Sequence, residues 1–267
     1  MNPPDSVNLS VDNGIAHLTL NRPERHNAFD DHMISVLDDR LREIADRGDV
    51  RAVILAAEGK SFSAGADLDW MKRMAGYSSA ENEADAKALG DMLARLNGLA
   101  VPTIALVQGG AYGGGVGLVA ACDMAIAAEE AVFSLTEVRL GIIPSVVSPY
   151  VLAAIGARAA RRYFLTAERF DAAEAYRMGL VHEVVPAAEL RAFGDSLVKQ
   201  LLAGSPAAIA SAKQLIAHMA GRPVDEALIA ETARRIAAAR ASEEGKEGIS
   251  AFLERRKPDW VPAKEQE

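Results

Sequence analysis

The sequence predicts an α/β fold in which strands alternate with helices and a wholly helical tail follows. Three observations predict it. Thr103–Val107 is a short apolar run after Pro102 and reads as a buried strand. Gln108–Gly117 then carries six glycines in ten residues, after which Leu118–Cys122 is apolar and alanine-rich, so a helix opens near Gly114, and a second strand-like run, Met124–Ala128, follows Asp123. Finally, composition shifts near Pro186, and from Ala187 to Arg256 almost every segment reads as helix. The chain therefore divides into 1–186 and 187–267, a mixed core and a helical region.

The elements follow in order. Val7–Val11 and Ile15–Leu20 flank Asn13-Gly14, whose residue types supply the positive φ angles of a hairpin turn. Asp30 or Asp31 can cap a helix whose Met33, Val36, Leu37, Leu41 and Ile44 keep helical spacing, with Gly48 as its end. Ala52–Ala56 reads as a buried strand. Ser61–Leu68 is a small-residue turn around Gly65, with Asp67 a possible cap for the next helix, and Leu68–Leu99 is helical with a break near Gly76–Ser79. After a loop at Val138–Pro144, helices centre on Ser148–Ile155, Ala157–Leu165 and Ala172–Met178, and Glu183–Val185 is a short extended return. The tail reads as helices over Leu190–Leu202, Pro206–Met219, Val224–Ala241 and Glu244–Leu253.

Totals exclude several classes. The 267 residues are half apolar, enough for one large core, and the formal net charge of −8 argues against a nucleic-acid surface. The single cysteine, Cys122, allows no internal disulfide and fits a reducing compartment. Neither a charged-then-apolar leader nor an apolar run of about 18 residues stands in the chain. A soluble, cytoplasmic protein without membrane contact is expected.

Glycines massed between a strand and a helix mean that backbone must approach something closely, and at a helix N-terminus that something is usually an anion. A phosphate fits poorly. Gly59-Lys60-Ser61 has the second half of a Walker loop, but Ile54 stands where its first glycine belongs. Gly115-x-Gly117-x-x-Ala120 matches a dinucleotide fingerprint loosely, yet Asp123 and the next strand arrive too soon for its crossover helix. An oxyanion that exists only during a reaction is the other candidate. Two glycine-flanked turns, at Ala66 and Gly114, can aim two backbone N–H groups at one oxygen, although close packing of backbone alone would demand the same glycines. Glu137 sits among apolar and small residues, where burial raises a carboxylate's pKa and suits it to moving protons. A capping or ion-paired glutamate is the plainer alternative. Nucleophilic and metal chemistry find no support. There is no G-x-S-x-G elbow, Cys122 lies in an apolar helix, and the five histidines lack metal-ligand spacing.

Phe62–Leu68, Gln108–Gly115, Cys122-Asp123 and Glu137–Pro144 together resemble the crotonase (enoyl-CoA hydratase/isomerase) superfamily, and Asn21-Arg22-Pro23, Ala172–Leu180 and Ala251–Arg256 extend the match over essentially the whole chain. The resemblance implies a ClpP-like spiral of ββα units over 1–186. It makes 187–267 a helical trimerisation region, within a homotrimer or a dimer of trimers. The implied substrate is an acyl-CoA thioester, with coenzyme A part of that substrate and no separate cofactor or metal. Its thioester oxygen would sit between the N–H groups of Ala66 and Gly114. Contacts to coenzyme A would come from Arg25, Ala28, Ala64, Asp67 and Leu68, and from Phe252 and Arg255, in one version supplied by a neighbouring subunit.

One departure bears on the chemistry. The two-glutamate hydratases carry an acid three residues after the oxyanion-hole glycine, and here that residue is Gly117. Glu137 matches the second glutamate. With Glu137 alone, either water addition with one glutamate or proton transfer between carbons, as in enoyl-CoA isomerases, remains open. Gly115–Leu118, Ser134–Arg139, Pro144–Tyr150, Ala159–Tyr163 and Leu165–Phe170 are similar to the methylglutaconyl-CoA and isohexenylglutaconyl-CoA hydratases. That likeness favours water addition to a branched, carboxylated enoyl-CoA and makes Arg73, Arg139, Ser145 and Tyr150 candidates to meet the distal carboxylate. A non-catalytic CoA-ester or RNA-binding protein on the same scaffold is the third reading, which the net charge and Glu137 weigh against.

Overall fold

The computed structural model describes residues 5–261. Strands β1 (Val7–Asp12) and β2 (Ile15–Leu20) form the expected antiparallel hairpin, with Asn13 at φ 50° and Gly14 at φ 79° in its turn. Helix α1 (Asp31–Asp46) starts at Asp30, whose carboxylate accepts from the Met33 amide at 2.8 Å, and it buries Met33, Ile34, Leu37, Leu41 and Ile44. Gly48 does not end this helix. The turn out comes earlier, at Arg47 (φ −89°, ψ 122°), whose guanidinium reaches over to both carboxylate oxygens of Asp49.

The middle of the chain repeats one pattern. β3 (Ala52–Ala57) and β4 (Ser61–Ser63) precede helices α2 (Leu68–Met74) and α3 (Ser79–Gly98). β5 (Thr103–Val107) and β6 (Gly110–Tyr112) precede α4 (Gly114–Ala121). β7 (Met124–Ala128) and β8 (Val132–Ser134) precede a 3₁₀ turn at Glu137–Leu140 and helix α5 (Ser148–Thr166), which is kinked at Gly156. Then come β9 (Phe170–Asp171), α6 (Ala172–Met178), β10 (Glu183–Val185), α7 (Leu190–Ala203), α8 (Pro206–Met219), α9 (Glu226–Ala241) and α10 (Glu243–Glu254).

Each repeat sends its first strand to one sheet and its second to another. The larger sheet runs β1-β2-β3-β5-β7-β10, parallel from β2 onward, and the smaller runs β4-β6-β8-β9. This is the expected spiral of ββα units. The strands of the first sheet read as apolar runs because both of their faces are covered: Ile54, Leu55, Ile104, Ala105, Ile126 and Ala127 are all fully buried. The second sheet was invisible in the sequence. Its strands are two or three residues long and include Ser61, Ser63, Gly110 and Ser134, so they show neither β-branched enrichment nor alternation.

The chain forms two compact units, one of residues up to Leu99 with Thr103–Asp195, the other of Ala100–Pro102 with residues from Ser196 onward. The division falls inside α7, between Asp195 and Ser196, whereas composition shifts at Pro186. Both sheets lie in the first unit. The second unit is helical, and its helices leave Ile216, Ile229, Ile236, Ile249, Phe252 and Leu253 exposed. Among the described residues no helix is long and apolar enough to cross a membrane.

Candidate active site

The site begins with a loop pinned to a short strand. Asn27, in the left-handed region at φ 52° and fully buried, donates its side-chain amide to the carbonyls of Glu58 and Ser61 and accepts from the Arg22 amide. Ser63, also fully buried, donates its hydroxyl to the Asn27 carbonyl at 2.8 Å. These bonds fix the chain at 21–30 against β4. Phe29 then pairs with the segment after β4: its amide donates to the Gly65 carbonyl and its carbonyl accepts from the Asp67 amide, both at 2.7 Å. Because peptide groups alternate direction along an extended chain, the Ala66 N–H points away from Phe29. Among the described residues it has no hydrogen-bond partner.

The parallel pairing of β4 with β6 brings a second turn alongside the first. Gly65 (φ 84°) passes so close that a Cβ on it would stand 3.0 Å from the Tyr112 carbonyl oxygen. Gly113 adopts φ 50° and ψ −115°, a conformation that side-chain-bearing residues rarely reach. Its amide donates to Ser134 on β8, and its carbonyl accepts from Val116 and Gly117. That leaves the Gly114 N–H, in the first turn of α4, without a partner among the described residues. Two free N–H donors thus end on neighbouring turns, one of them at the positive end of a helix dipole.

Glu137 follows β8 and opens the 3₁₀ turn, which places its carboxylate over Gly113. A Cβ on Gly113 would meet Glu137 Oε1 at 3.1 Å. Oε2 is buried and has no hydrogen-bond partner. Burial raises the pKa of this carboxyl above the ordinary glutamate value, opposed in part by a hydrogen bond from its own backbone amide. Among the described residues no cation lies within ion-pair distance, and the cap residue of the turn is Thr136, so the plainer readings of Glu137 as a capping or ion-paired glutamate do not describe it. An unpaired half-buried carboxylate is costly unless it serves a purpose.

Ala66, Gly114 and Glu137 line one cavity of about 250 Å³, together with Ala64, Phe29 and Trp70. The wall continues over Ile142–Val147 and over Met71, Met74, Asp85 and Leu89 from α2 and α3. Thr136 and Ser145 also line it. Gly117 lies outside this lining. A Cβ there would meet Val147 Cγ1 at 2.3 Å and Val147 Cβ at 2.9 Å. Val147, 3% exposed, fills the space that an acid at residue 117 would need.

The remaining expected residues divide. Asp67, 4% exposed, caps α2 by accepting from the Asp69 and Trp70 amides and forms ion pairs with Arg22 at 3.4 Å and Arg25 at 3.2 Å. Arg22 is held in turn by Asp30 at 2.7 Å, a pairing that no local sequence signal announces. Ala28 is buried, Leu68 is exposed, and Arg25 is half tied by Asp69 at 3.0 Å. Phe252 and Arg255 belong to the second unit, where Phe252 is exposed and Arg255 ends α10 in the left-handed region. Of the four candidates for a distal carboxylate, only Ser145 lines the cavity. Arg73 is ion-paired with Asp31, Arg139 is exposed on the 3₁₀ turn, and Tyr150 sits half-buried at the start of α5. Among the described residues no three His, Cys, Asp or Glu side chains cluster closely enough to hold a metal ion.

A family model described as Enoyl-CoA hydratase/isomerase matches residues 10–263. The chain belongs to that family. An enoyl-CoA hydratase from Shewanella pealeana superposes with a TM-score of 0.93 at 43% identity, covering 96% of each chain. Pseudomonas aeruginosa AtuE gives 0.92 at 36% identity, covering 97% of this chain and 100% of its own. The short-chain-enoyl-CoA hydratase of Clostridium acetobutylicum is 33% identical over 259 residues, 95% of this chain and 96% of its own length. The spiral of ββα units is the fold that this family member shares with the two solved structures.

Two predictions follow from the packing and charge of this site. A Cβ at Gly117 would overlap Val147, so Gly117→Ala should lower stability by about 1–3 kcal/mol, and Val147→Ala in the same chain should recover part of it; urea unfolding of the three variants measures both. The sign for Glu137 is that a folded-state pKa above the unfolded one favours the neutral form. Its burial is free of cost at pH below the ordinary glutamate value and destabilising once the group ionises. Glu137→Gln should therefore raise the thermal midpoint at pH 7, and the gain over wild type should vanish towards pH 4.

Proposed function

We propose that the protein adds water across the double bond of a 2-enoyl-CoA thioester, with Glu137 as its one catalytic carboxylate. The observation that carries this reading is the unpaired Glu137 carboxylate beside two unpartnered backbone N–H groups, Ala66 and Gly114, on one cavity. Names of relatives support it, from the short-chain-enoyl-CoA hydratase of Clostridium acetobutylicum to the crotonyl-CoA hydratase of Syntrophomonas wolfei.

In this reading Glu137 accepts a proton from water as the hydroxyl oxygen bonds to Cβ of the substrate. The π electrons shift towards the carbonyl, and the thioester oxygen takes up negative charge as an enolate. The Ala66 and Gly114 N–H groups donate to that oxygen, and losing one such donor typically costs about 10²–10³ in rate. The enolate then takes a proton at Cα, either back from Glu137 or through water held by the Thr136 or Ser145 hydroxyls. The sum is one water added and the catalyst restored. Arg25, Ala28, Ala64, Asp67 and Leu68 would hold coenzyme A, with Phe252 and Arg255 supplied by a neighbouring copy of the chain, and no further cofactor is needed. A cytoplasmic setting fits the lone buried Cys122.

Two observations bear on the acyl group and pull apart. Sequence likeness to methylglutaconyl-CoA hydratases supports a branched, carboxylated chain such as 3-methylglutaconyl-CoA. The cavity lining contains no Lys or Arg and two carboxylates, Asp85 and Glu137. The lining is what an acyl tail touches, so it carries the greater weight here and favours an uncharged tail. Isomerisation is the second reading, since Glu137 also suits carbon-to-carbon proton transfer and Val147 closes the place of the other acid.

Glu137→Gln should cut turnover at least about 10³-fold, at the scale of general acid–base catalysis, while binding of a saturated acyl-CoA survives. Turnover left intact in that variant would sink the reading. Reactions in ¹⁸O-labelled water with mass detection separate the two chemistries: label enters a hydrated product and stays out of an isomerised one. In the same assay Arg25→Ala should raise KM several-fold with kcat little changed. For the second unit, we propose that its exposed Ile216, Ile229, Ile236, Ile249, Phe252 and Leu253 pack on other copies of the chain in a trimer or a dimer of trimers. Light scattering should give three or six times the 28.3 kDa chain mass.

A further inference from the structure

The cavity holds a carboxylate that water addition does not use. Asp85 lies on α3 and lines the wall built from α2 and α3, beside Trp70, Met71, Met74 and Leu89. Its Oδ1 accepts a hydrogen bond from Trp70 Nε1 at 3.2 Å. No Lys, Arg or His side chain among the described residues pairs with it, and none lines the cavity. The cation in its neighbourhood, Arg73, is engaged by the Asp31 carboxylate instead. Asp85 is therefore a half-buried acid with one neutral donor, set into an otherwise apolar wall. A structural role asks only for an acceptor to the indole N–H, which Asn would provide without the cost of desolvating a charge.

We propose that Asp85 determines acyl specificity, excluding tails that carry a distal carboxylate and admitting uncharged ones. The proposal rests on the site being an acyl-CoA site and deepens that reading by naming its substrate class. The physical basis is like-charge repulsion inside a low-dielectric cavity, where a second carboxylate would find no compensating cation. Specificity of this kind works against the wrong ligand rather than for the right one. Burial and the nearby Asp31 carboxylate raise the pKa of Asp85, with burial the larger cause, while the Trp70 hydrogen bond and Arg73 oppose the rise.

The test compares butyryl-CoA and glutaryl-CoA, which differ by the distal carboxylate, in calorimetric titrations of the whole protein. Wild type should bind butyryl-CoA more tightly. Asp85→Asn keeps the acceptor for Trp70 and should narrow the gap at least about tenfold, since one like-charge contact at about 4 Å and an effective dielectric near 20 would reach about 10³-fold. Asp85→Glu keeps the charge and should preserve the wild-type gap. An unchanged gap in Asp85→Asn, or equal narrowing in Asp85→Glu, overturns the proposal. The readout is binding, so a protein that binds both esters but hydrates no enoyl-CoA would fault the hydratase reading alone.

Discussion

The site depends on how closely the chain at Gly65 passes the chain at Tyr112. A Cβ on Gly65 would stand 3.0 Å from the Tyr112 carbonyl oxygen, and Gly65 sits at φ 84°, so glycine eases both the close approach and the backbone turn. From that approach the rest follows. β4 and β6 pair in parallel and end together, which sets Ala64–Ala66 beside Gly113-Gly114. Phe29 takes the inward-facing hydrogen-bonding groups of Gly65 and Asp67, and this leaves the Ala66 N–H to face the other way. On the neighbouring turn, Gly113 spends its own amide on β8 and leaves the Gly114 N–H free.

The carboxylate is positioned by the same sheet. β8 pairs with β6, so the residues just after β8 stand over the residues just after β6. Glu137 is reached in that way, with Oε1 above Gly113 and Oε2 buried without a partner. An acid held there has its pKa raised, because burial disfavours the charged form. Two donors for a developing oxyanion and one acid with a raised pKa are a minimal set for enolate chemistry. Val147 stands where a side chain at residue 117 would go, so Glu137 is the one glutamate lining this cavity.

Stability and function meet in the polar network behind the site. Asp67 is nearly inaccessible, caps α2 and binds Arg22 and Arg25, while Arg22 also binds Asp30, the cap of α1. Two helix starts and the turn at Ala66 are thereby tied to one guanidinium. A partly buried charge network of this kind is weak evidence for stability by itself, and its value here lies in holding backbone to a fixed geometry.

The sequence by itself determined the α/β alternation, the helical tail and the hairpin at Asn13-Gly14, and it singled out the two glycine turns and Glu137. Those features are local: apolar runs, glycine where φ must be positive, a glutamate set among apolar residues. The family likeness was legible for the same reason, since its motifs are contiguous. Only the tertiary structure decided the rest. The second sheet consists of strands too short to carry a periodic signal, and they exist because each pairs with at least one neighbour in the order β4-β6-β8-β9. Which N–H groups stay free depends on bonds between residues about 40 apart, such as those of Phe29 with Gly65 and Asp67. Gly117 read as a missing acid, but its burial under Val147 depends on how α5 packs over α4. Asp85 drew no attention in the sequence because an aspartate on a polar helix is ordinary, and it becomes distinctive only when α3 turns it towards a cavity without a cation. Arg73 and Arg139 failed as cavity residues for the converse reason: a charge in the sequence says nothing about which side of a helix or turn will face the substrate.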